Sequence, residues 1–255
     1  EATLSYFGRV NYDYNGKYLF SISMRADGSS RFAEDNKWGF FPSIGLAWRA
    51  SEEKFLAGNK VITNLKVRGS FGVTGNQEIG NYKSLAQLKV DNYIYNDTEI
   101  QGFYETIGNP DLKWERANQF DIGIDLSLWN RIHVTADYYH RKTSDLLYNV
   151  PIPSTSGFSS MLSNVGSVLN KGWELSITGN IIDLNDLKID ATVNLSRNTN
   201  KIKELYNDVQ SITLKSGLGL SSYLKVGESL NSRYALLADG IIRTEEQLAA
   251  YRKIE

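Results

Sequence analysis

The chain has 255 residues, a formal charge of −1 from 28 basic and 29 acidic side chains, and no cysteine. The balanced charge gives no electrostatic case for nucleic acid or an anionic membrane surface as partner. The missing thiols exclude disulfides, zinc–thiolate sites, iron–sulfur clusters and cysteine nucleophiles.

No run of 18 apolar residues occurs, so no transmembrane helix is expected. The opening residues, EATLSYFGRV, lack a basic segment followed by an apolar core, so no signal peptide is visible. That leaves the destination of the chain open, because the sequence reads as a piece of something longer.

Period-two alternation predicts eight strands. Residues 3–14 and 17–27 form a first pair joined at Asn15-Gly16, the strongest short hairpin signal. Leu4, Tyr6, Val10 and Tyr12 share one face of the first strand, and Tyr18, Phe20, Ile22 and Met24 one face of the second. A third runs through GFFPSIGLAWR, with Ile44, Leu46 and Trp48 on its apolar face. A fourth, LKVRGSFGVTG, sets Leu65, Val67, Phe71 and Val73 against Lys66, Arg68, Ser70 and Thr74. In FDIGIDLSL, Phe120, Ile122, Ile124, Leu126 and Leu128 alternate with Asp121, Gly123, Asp125 and Ser127. Trp129-Asn130 then turns the chain into RIHVTADYYHRKTSDLL. The seventh, GWELSITGNI, carries Trp173, Leu175 and Ile177 on one face. A DLND turn leads to the eighth, with Leu187, Ile189, Ala191, Val193 and Leu195.

Several of these runs reach nine residues or more, against about 5–6 in ordinary strands. A tilted membrane-crossing strand needs about 9–11. The connections also alternate. Residues 15–16, 129–130 and 183–186 are tight and 51–63 intermediate, whereas 28–37, 76–113, 144–171 and the stretch after 198 are long. Outer-membrane barrels combine short periplasmic turns with long external loops in this way. Two readings remain: a membrane barrel whose apolar face meets lipid, or a secreted β-sandwich, such as a glycan-binding module, whose apolar face is a core. One helix is expected, at 243–254, where Thr244 and Gln247 have capping-box spacing.

Chemistry-bearing constellations are sparse. His133 and His140 sit seven residues apart on one strand, hence on opposite faces, and cannot share a metal. Asp121 and Asp125 lie roughly 13 Å apart along one strand, too far for the paired carboxylates of glycoside hydrolysis. They are expected to meet Lys66 and Arg68 across the lumen. LKSGLGLSS at 214–222 lacks the spacing of a phosphate loop. RADGSSRF at 25–32 lacks the ligand spacing of a calcium loop and reads as the first external turn. No catalytic, cofactor or metal site is assigned, and no enzyme is expected. The ligand-contact candidates are Tyr82, Tyr93, Tyr95, Phe103 and Tyr104 in the 76–113 loop, rings suited to stacking on polar ligands. The competing expectation is that these rings pack the loop on itself.

Seven blocks in order carry a resemblance: DGSSRF, FPSIGLAWR, LKVRGSFGVTGNQEIGNY, NPDLKWERANQFDIGID, DYYHRKTSDLL, NVGSVLNKGWELSI, and VGESL with DGI. Together they resemble the SusC/RagA-type TonB-dependent transporters of the outer membrane of Bacteroidota. The resemblance implies that residues 1–255 are part of the β-barrel domain of such a receptor. They would supply about eight consecutive antiparallel up-and-down strands from the C-terminal half of a 22-stranded barrel, with plug and remaining strands outside this sequence. It further implies TonB-driven import of oligosaccharides or peptides. A SusD-like surface lipoprotein would act as lid, TonB–ExbB–ExbD would act through the plug, and outer-membrane lipid would surround the wall.

Overall fold

A computed structural model describes residues 2–158, 160–184, 186–206, 209–215, 221–230, 232–234 and 243–251. In chain order the strands are β1 (Thr3–Tyr14), β2 (Tyr18–Ser29), β3 (Trp38–Arg49), β4 (Ile62–Asn76), β5 (Gln87–Tyr95), β6 (Thr98–Thr106), β7 (Glu115–Leu128) and β8 (Ile132–Ser144). They continue with β9 (Leu147–Pro151), β10 (Ser160–Asn164), β11 (Ser167–Asp183), β12 (Lys188–Glu204), β13 (Ser211–Lys215), β14 (Ser221–Lys225) and β15 (Arg233–Tyr234).

The eight expected strands form one antiparallel sheet, β1-β2-β3-β4-β7-β8-β11-β12, in which every neighbour is the next long strand along the chain. They run 12 to 17 residues, beyond what a membrane crossing needs. β1 and β12 are its two edges, so the sheet is not closed. Three smaller sheets were not expected: the β5–β6 and β9–β10 hairpins and the β13-β14-β15 sheet.

Local chemistry explains the turns. Asn15 and Gly16 have φ of 55° and 66°, the pair of positive values at the centre of a turn whose twist matches the strands, closed by the Lys17 N–H donating to Tyr14 O at 3.0 Å. Trp129 and Asn130 adopt the same conformation at 52° and 54°, an uncommon one for a bulky ring. Short connections (15–17, 50–61, 129–131 and 184–187) fall at one end of the sheet and long ones at the other.

The register sorts the two faces cleanly. One row crosses all eight strands as Tyr14, Tyr18, Trp48, Val67, Ile124, Ala136, Leu175 and Leu195. The apolar face so defined is open: Val10, Ile22, Leu46, Phe120, Ile122, Ile124 and Val193 all count as exposed. In water such a face would forgo about 1.5–3 kcal/mol for each large side chain left uncovered. A sandwich would bury it under a second sheet. Among the described residues no second sheet covers it, so the sandwich reading fails.

Aromatic rings bound the apolar band. Trp48 packs near Phe55 and Tyr14 near Tyr18 at the short-turn end, with centroids 6.5 and 6.4 Å apart, and Tyr6 stacks on Trp38 at 6.0 Å toward the other end. Trp38 and Trp48 stand ten residues apart on β3, about 33 Å of strand at ~3.3 Å per residue. Tilted by about 40°, that spans a height of ~25 Å, which is the apolar band of an outer-membrane barrel.

The helix α1 (Glu245–Tyr251) starts two residues after the expected beginning at 243, and residues 252–254 of the expected span lie outside the described residues. Its cap matches the expected spacing. Thr244 Oγ1 accepts the Gln247 N–H at 3.2 Å, while Gln247 Oε1 reaches back to the Arg243 N–H at 2.8 Å.

Candidate functional site

The face opposite the apolar band is polar, and its charges are organised across strands. A second register row reads Asp13, Leu19, Ala47, Arg68, Gly123, Asp137, Glu174 and Ser196. Arg68 on β4 has no bulky neighbour in this row, because Ala47 and Gly123 flank it. Its guanidinium therefore passes over β7 to reach β8, where Nη2 lies 2.7 Å from Asp137 Oδ1 and Nε lies 3.3 Å from Asp125 Oδ2. A side chain at Gly123 would collide with Asp137 Oδ1 and stand 2.7 Å from Arg68 Cζ. Lys66 adds a longer contact to Asp125 at 3.8 Å. The expected pairing of the β7 carboxylates with Lys66 and Arg68 thus holds for Asp125. Asp121 instead accepts from Ser70 Oγ at 3.3 Å and Gln119 Nε2 at 2.8 Å.

His133 and His140 fall on opposite faces, as the period requires. His133 Nδ1 lies 2.9 Å from Ser127 Oγ on the polar face. Among the described residues no group of three or more His, Asp or Glu is placed to hold a metal.

The long-loop end holds a small core, Phe32, Phe41, Ile79, Leu112 and Trp114, with Val73, Leu147 and Leu162 packed against it. Trp114 stands 5.4 Å from Phe32 and 5.3 Å from Phe41, ring centre to ring centre. Its indole N–H donates to Lys37 O at 3.1 Å. Side chains then stitch the 76–113 and 144–171 connections together. Asn164 Oδ1 accepts the Lys113 N–H at 2.8 Å, and its Nδ2 donates to Lys113 O at 2.7 Å and Asp145 O at 2.9 Å. Asn109 Nδ2 donates to Leu162 O at 2.9 Å, and Lys113 pairs with Asp145 at 3.0 Å. Phe32, Phe41, Ile79, residues 109–114, Asp145, Leu147 and Asn164 come from the sequence blocks DGSSRF, FPSIGLAWR, GNQEIGNY, NPDLKW, DYYHRKTSDLL and NVGS, which meet here in space.

The five ring candidates are not the rings of that core. Tyr82 is 65% exposed with φ of 61°, and Tyr95 is 71% exposed beside the β5–β6 turn. No ring contact joins these two. Register gives Tyr93, Tyr95 and Tyr104 the same parity on the hairpin and Phe103 the other. The side chains of Tyr93, Phe103 and Tyr104 lie outside the described residues. The core residues that were missed carry a faint signal. Phe40-Phe41 is a consecutive apolar pair that breaks the alternation of its strand and puts Phe41 on the polar face.

At the other end Glu53, in the turn after β3, accepts from Tyr18 Oη at 2.7 Å, Lys17 Nζ at 3.2 Å and Trp48 Nε1 at 3.4 Å. The Tyr18 hydroxyl, then the Lys17 ammonium, hold its carboxyl below the usual glutamate value.

Comparison with known proteins agrees with this geometry. The family model described as TonB dependent receptor-like, beta-barrel matches residues 1–243. The TonB-dependent receptor P39 of Formosa agariphila is 41% identical over 251 residues, 97% of this chain and 23% of that protein. The TonB-dependent receptor SusC of Bacteroides thetaiotaomicron is 41% identical over 209 residues, 79% of this chain and 21% of its own length. Among solved structures, the RagAB peptide transporter superposes with a TM-score of 0.79 at 35% identity, covering 89% of this chain and 24% of that one. The chain thus spans about a quarter of the length of the relatives it matches. A lipid-facing apolar band, a polar inner face and a matching family model over nearly its whole length establish that this chain belongs to the TonB-dependent receptors of the bacterial outer membrane, as part of their β-barrel.

Proposed function

We propose that the chain supplies wall and external loops to an energy-coupled importer of nutrients such as oligosaccharides or peptides. The single observation that supports this reading most is the two-faced sheet, with an apolar face about 25 Å tall backed by a polar face crossed by the Arg68–Asp125–Asp137 network. In this reading residues 1–255 are part of a 22-stranded barrel whose other strands and plug belong to the rest of the protein. TonB–ExbB–ExbD pulls on that plug, and a SusD-like surface lipoprotein closes over the long loops. The chain's own role is passive, without catalysis, cofactor or metal. Tyr82 and Tyr95 contact cargo from the 76–113 loop, together with Tyr93, Phe103 and Tyr104. The relatedness to a protein described as a peptide transporter favours peptides as the first cargo to try.

The test is uptake of labelled peptide and oligosaccharide pools by cells with and without the full-length gene, each with and without a protonophore. The expected result is uptake of one pool that needs both the gene and the proton gradient, reduced by Tyr82→Ala with Tyr95→Ala. Gene-independent or protonophore-insensitive uptake of both pools would overturn the reading.

A further inference from the structure

On the lipid-facing side of the main sheet, charge is confined to one place. β1 to β4 contribute none: the alternate positions from Leu4 to Tyr14, Tyr18 to Gly28, Trp38 to Trp48 and Leu65 to Gly75 are all uncharged. On the other four strands the charged positions of that face are Arg116, Lys142, Lys171, Arg197, Lys201 and, at the bulge opposite Ser167, Lys203 and Glu204, all toward the long-loop end. Six of the seven are basic, so the near-zero charge of the whole chain conceals a local excess.

Register makes the group compact. Three successive rows read Ile122, Tyr138, Trp173, Arg197; then Phe120, His140, Lys171, Thr199; then Asn118, Lys142, Leu169, Lys201. Strands lie about 4.8 Å apart and alternate residues ~6.7 Å apart along a strand. The Lys171 backbone is therefore about 8 Å from that of Lys142, Arg197 and Lys201 alike. Lys171, Arg197 and Lys201 are exposed, and among the described residues none of the three forms an ion pair. Lys142 approaches Glu204 at 4.0 Å with its side chain 45% exposed. Four cations this close repel one another.

The depth identifies the occupant. The group begins level with the Tyr138–Trp173 pair, where the aliphatic band ends, and aromatic rings of a membrane protein mark the headgroup layer. Below it, Leu175, Ile177, Leu195 and Val193 offer a surface for acyl chains continuous with the lipid-facing band. We propose that Lys142, Lys171, Arg197 and Lys201 form a docking site for the phosphate-bearing headgroup of a glycolipid in the leaflet on the long-loop side. Phosphate oxygens accept from ammonium and guanidinium groups together, and the charge-assisted bonds are strong at a half-desolvated interface. The site depends on the outer-membrane placement of the chain and not on its cargo or partners, so an uptake experiment has no bearing on it.

The test uses the full-length protein in zwitterionic nanodiscs, titrated with lipid A carrying its phosphates and with the dephosphorylated lipid, bound molecules being counted by native mass spectrometry. Each basic residue near an anionic headgroup contributes about fivefold in affinity, so Lys171→Gln, Arg197→Gln and Lys201→Gln together should weaken binding by about 150-fold. The dephosphorylated lipid should bind the unaltered protein as poorly. Unchanged affinity in the triple variant, or equal binding of the two lipids, overturns the proposal. So does a variant that keeps its lipid but loses a bound protein or a second copy. If the triple variant fails to assemble in membranes, Lys171→Gln and Lys201→Gln singly should each lose about fivefold, and no loss in either is the overturning result.

Discussion

Replacing Gly123 by alanine is the smallest change that should break the charge network of the polar face. A Cβ there meets Asp137 Oδ1 and Arg68 Cζ, both ends of flexible side chains. The steric cost is small because the guanidinium can swing away, and the energetic cost is what swinging away loses. The contacts at stake are Arg68 Nη2 to Asp137 at 2.7 Å and Arg68 Nε to Asp125 at 3.3 Å. A hydrogen bond to a charged group contributes about 1.5–3 kcal/mol when shielded. Here the side chains are 34%, 28% and 27% exposed, so solvent screening reduces the expected loss to about 1–2 kcal/mol. The assay is local hydrogen exchange of the full-length protein over residues 116–142, in a double-mutant cycle with Arg68→Ala. Gly123→Ala should speed exchange by about 5- to 30-fold in the native background and have little effect once Arg68 is gone. Equal effects in both backgrounds would refute the idea that Gly123 exists to let Arg68 through.

Three further outcomes follow from named contacts. Leu112 is fully buried in the loop core, so Leu112→Ala should cost about 2–5 kcal/mol; limited proteolysis should then cut within 77–114 while the membrane strands stay protected. Asn164→Ala removes the amide that now pairs the Lys113 N–H and C=O at a solvent-accessible position, and should raise exchange at residues 109–115 by an amount equivalent to about 0.5–1.5 kcal/mol. For Glu53 the folded carboxyl is held below its unfolded value, so its contribution is present above the usual glutamate range and disappears as pH falls through the lowered folded value. Thermal melting of the full-length protein should therefore separate Glu53→Gln from the parent at neutral pH, with the two curves converging under acid; a gap that persists or widens in acid contradicts that assignment.

The eight long strands are legible because one periodicity governs each and its consequence is local: Phe120 to Leu128 alternate whatever surrounds them. The boundaries are less so. β4 begins at Ile62 and β12 continues to Glu204, past the last clear alternation, because hydrogen bonding to a neighbour extends a strand whose own residues are indifferent. The β5–β6 hairpin is hard to see in sequence because QLKVDNYIY and TEIQGFYET together mix polar and apolar residues on both faces. Its signal was the Asn96-Asp97 turn, with φ of 52° and 58°. The loop core was hidden for another reason. Phe32 and Trp114 lie 82 positions apart in the sequence, and no local pattern announces a contact across that span. Apolar residues at inward positions, Phe41, Ala117, Val168 and Ile202, were the available hint, and all four are buried. Arg68 meeting Asp137 needed the full strand order, because β7 stands between them.

The central claim is that the apolar face of the sheet meets lipid, and one measurement addresses it directly. Single cysteines at 120–128, placed in a cysteine-free background of the full-length protein, carry a spin label whose relaxation is read with oxygen and with a water-soluble paramagnet in native membranes. The account predicts oxygen access at Phe120, Ile122, Ile124, Leu126 and Leu128 and aqueous access at Asp121, Asp125 and Ser127. A label at Phe41, buried under the loops, should be shielded from both reagents. If the five apolar positions behave like Phe41, they form a protein core, and the sheet does not face the membrane.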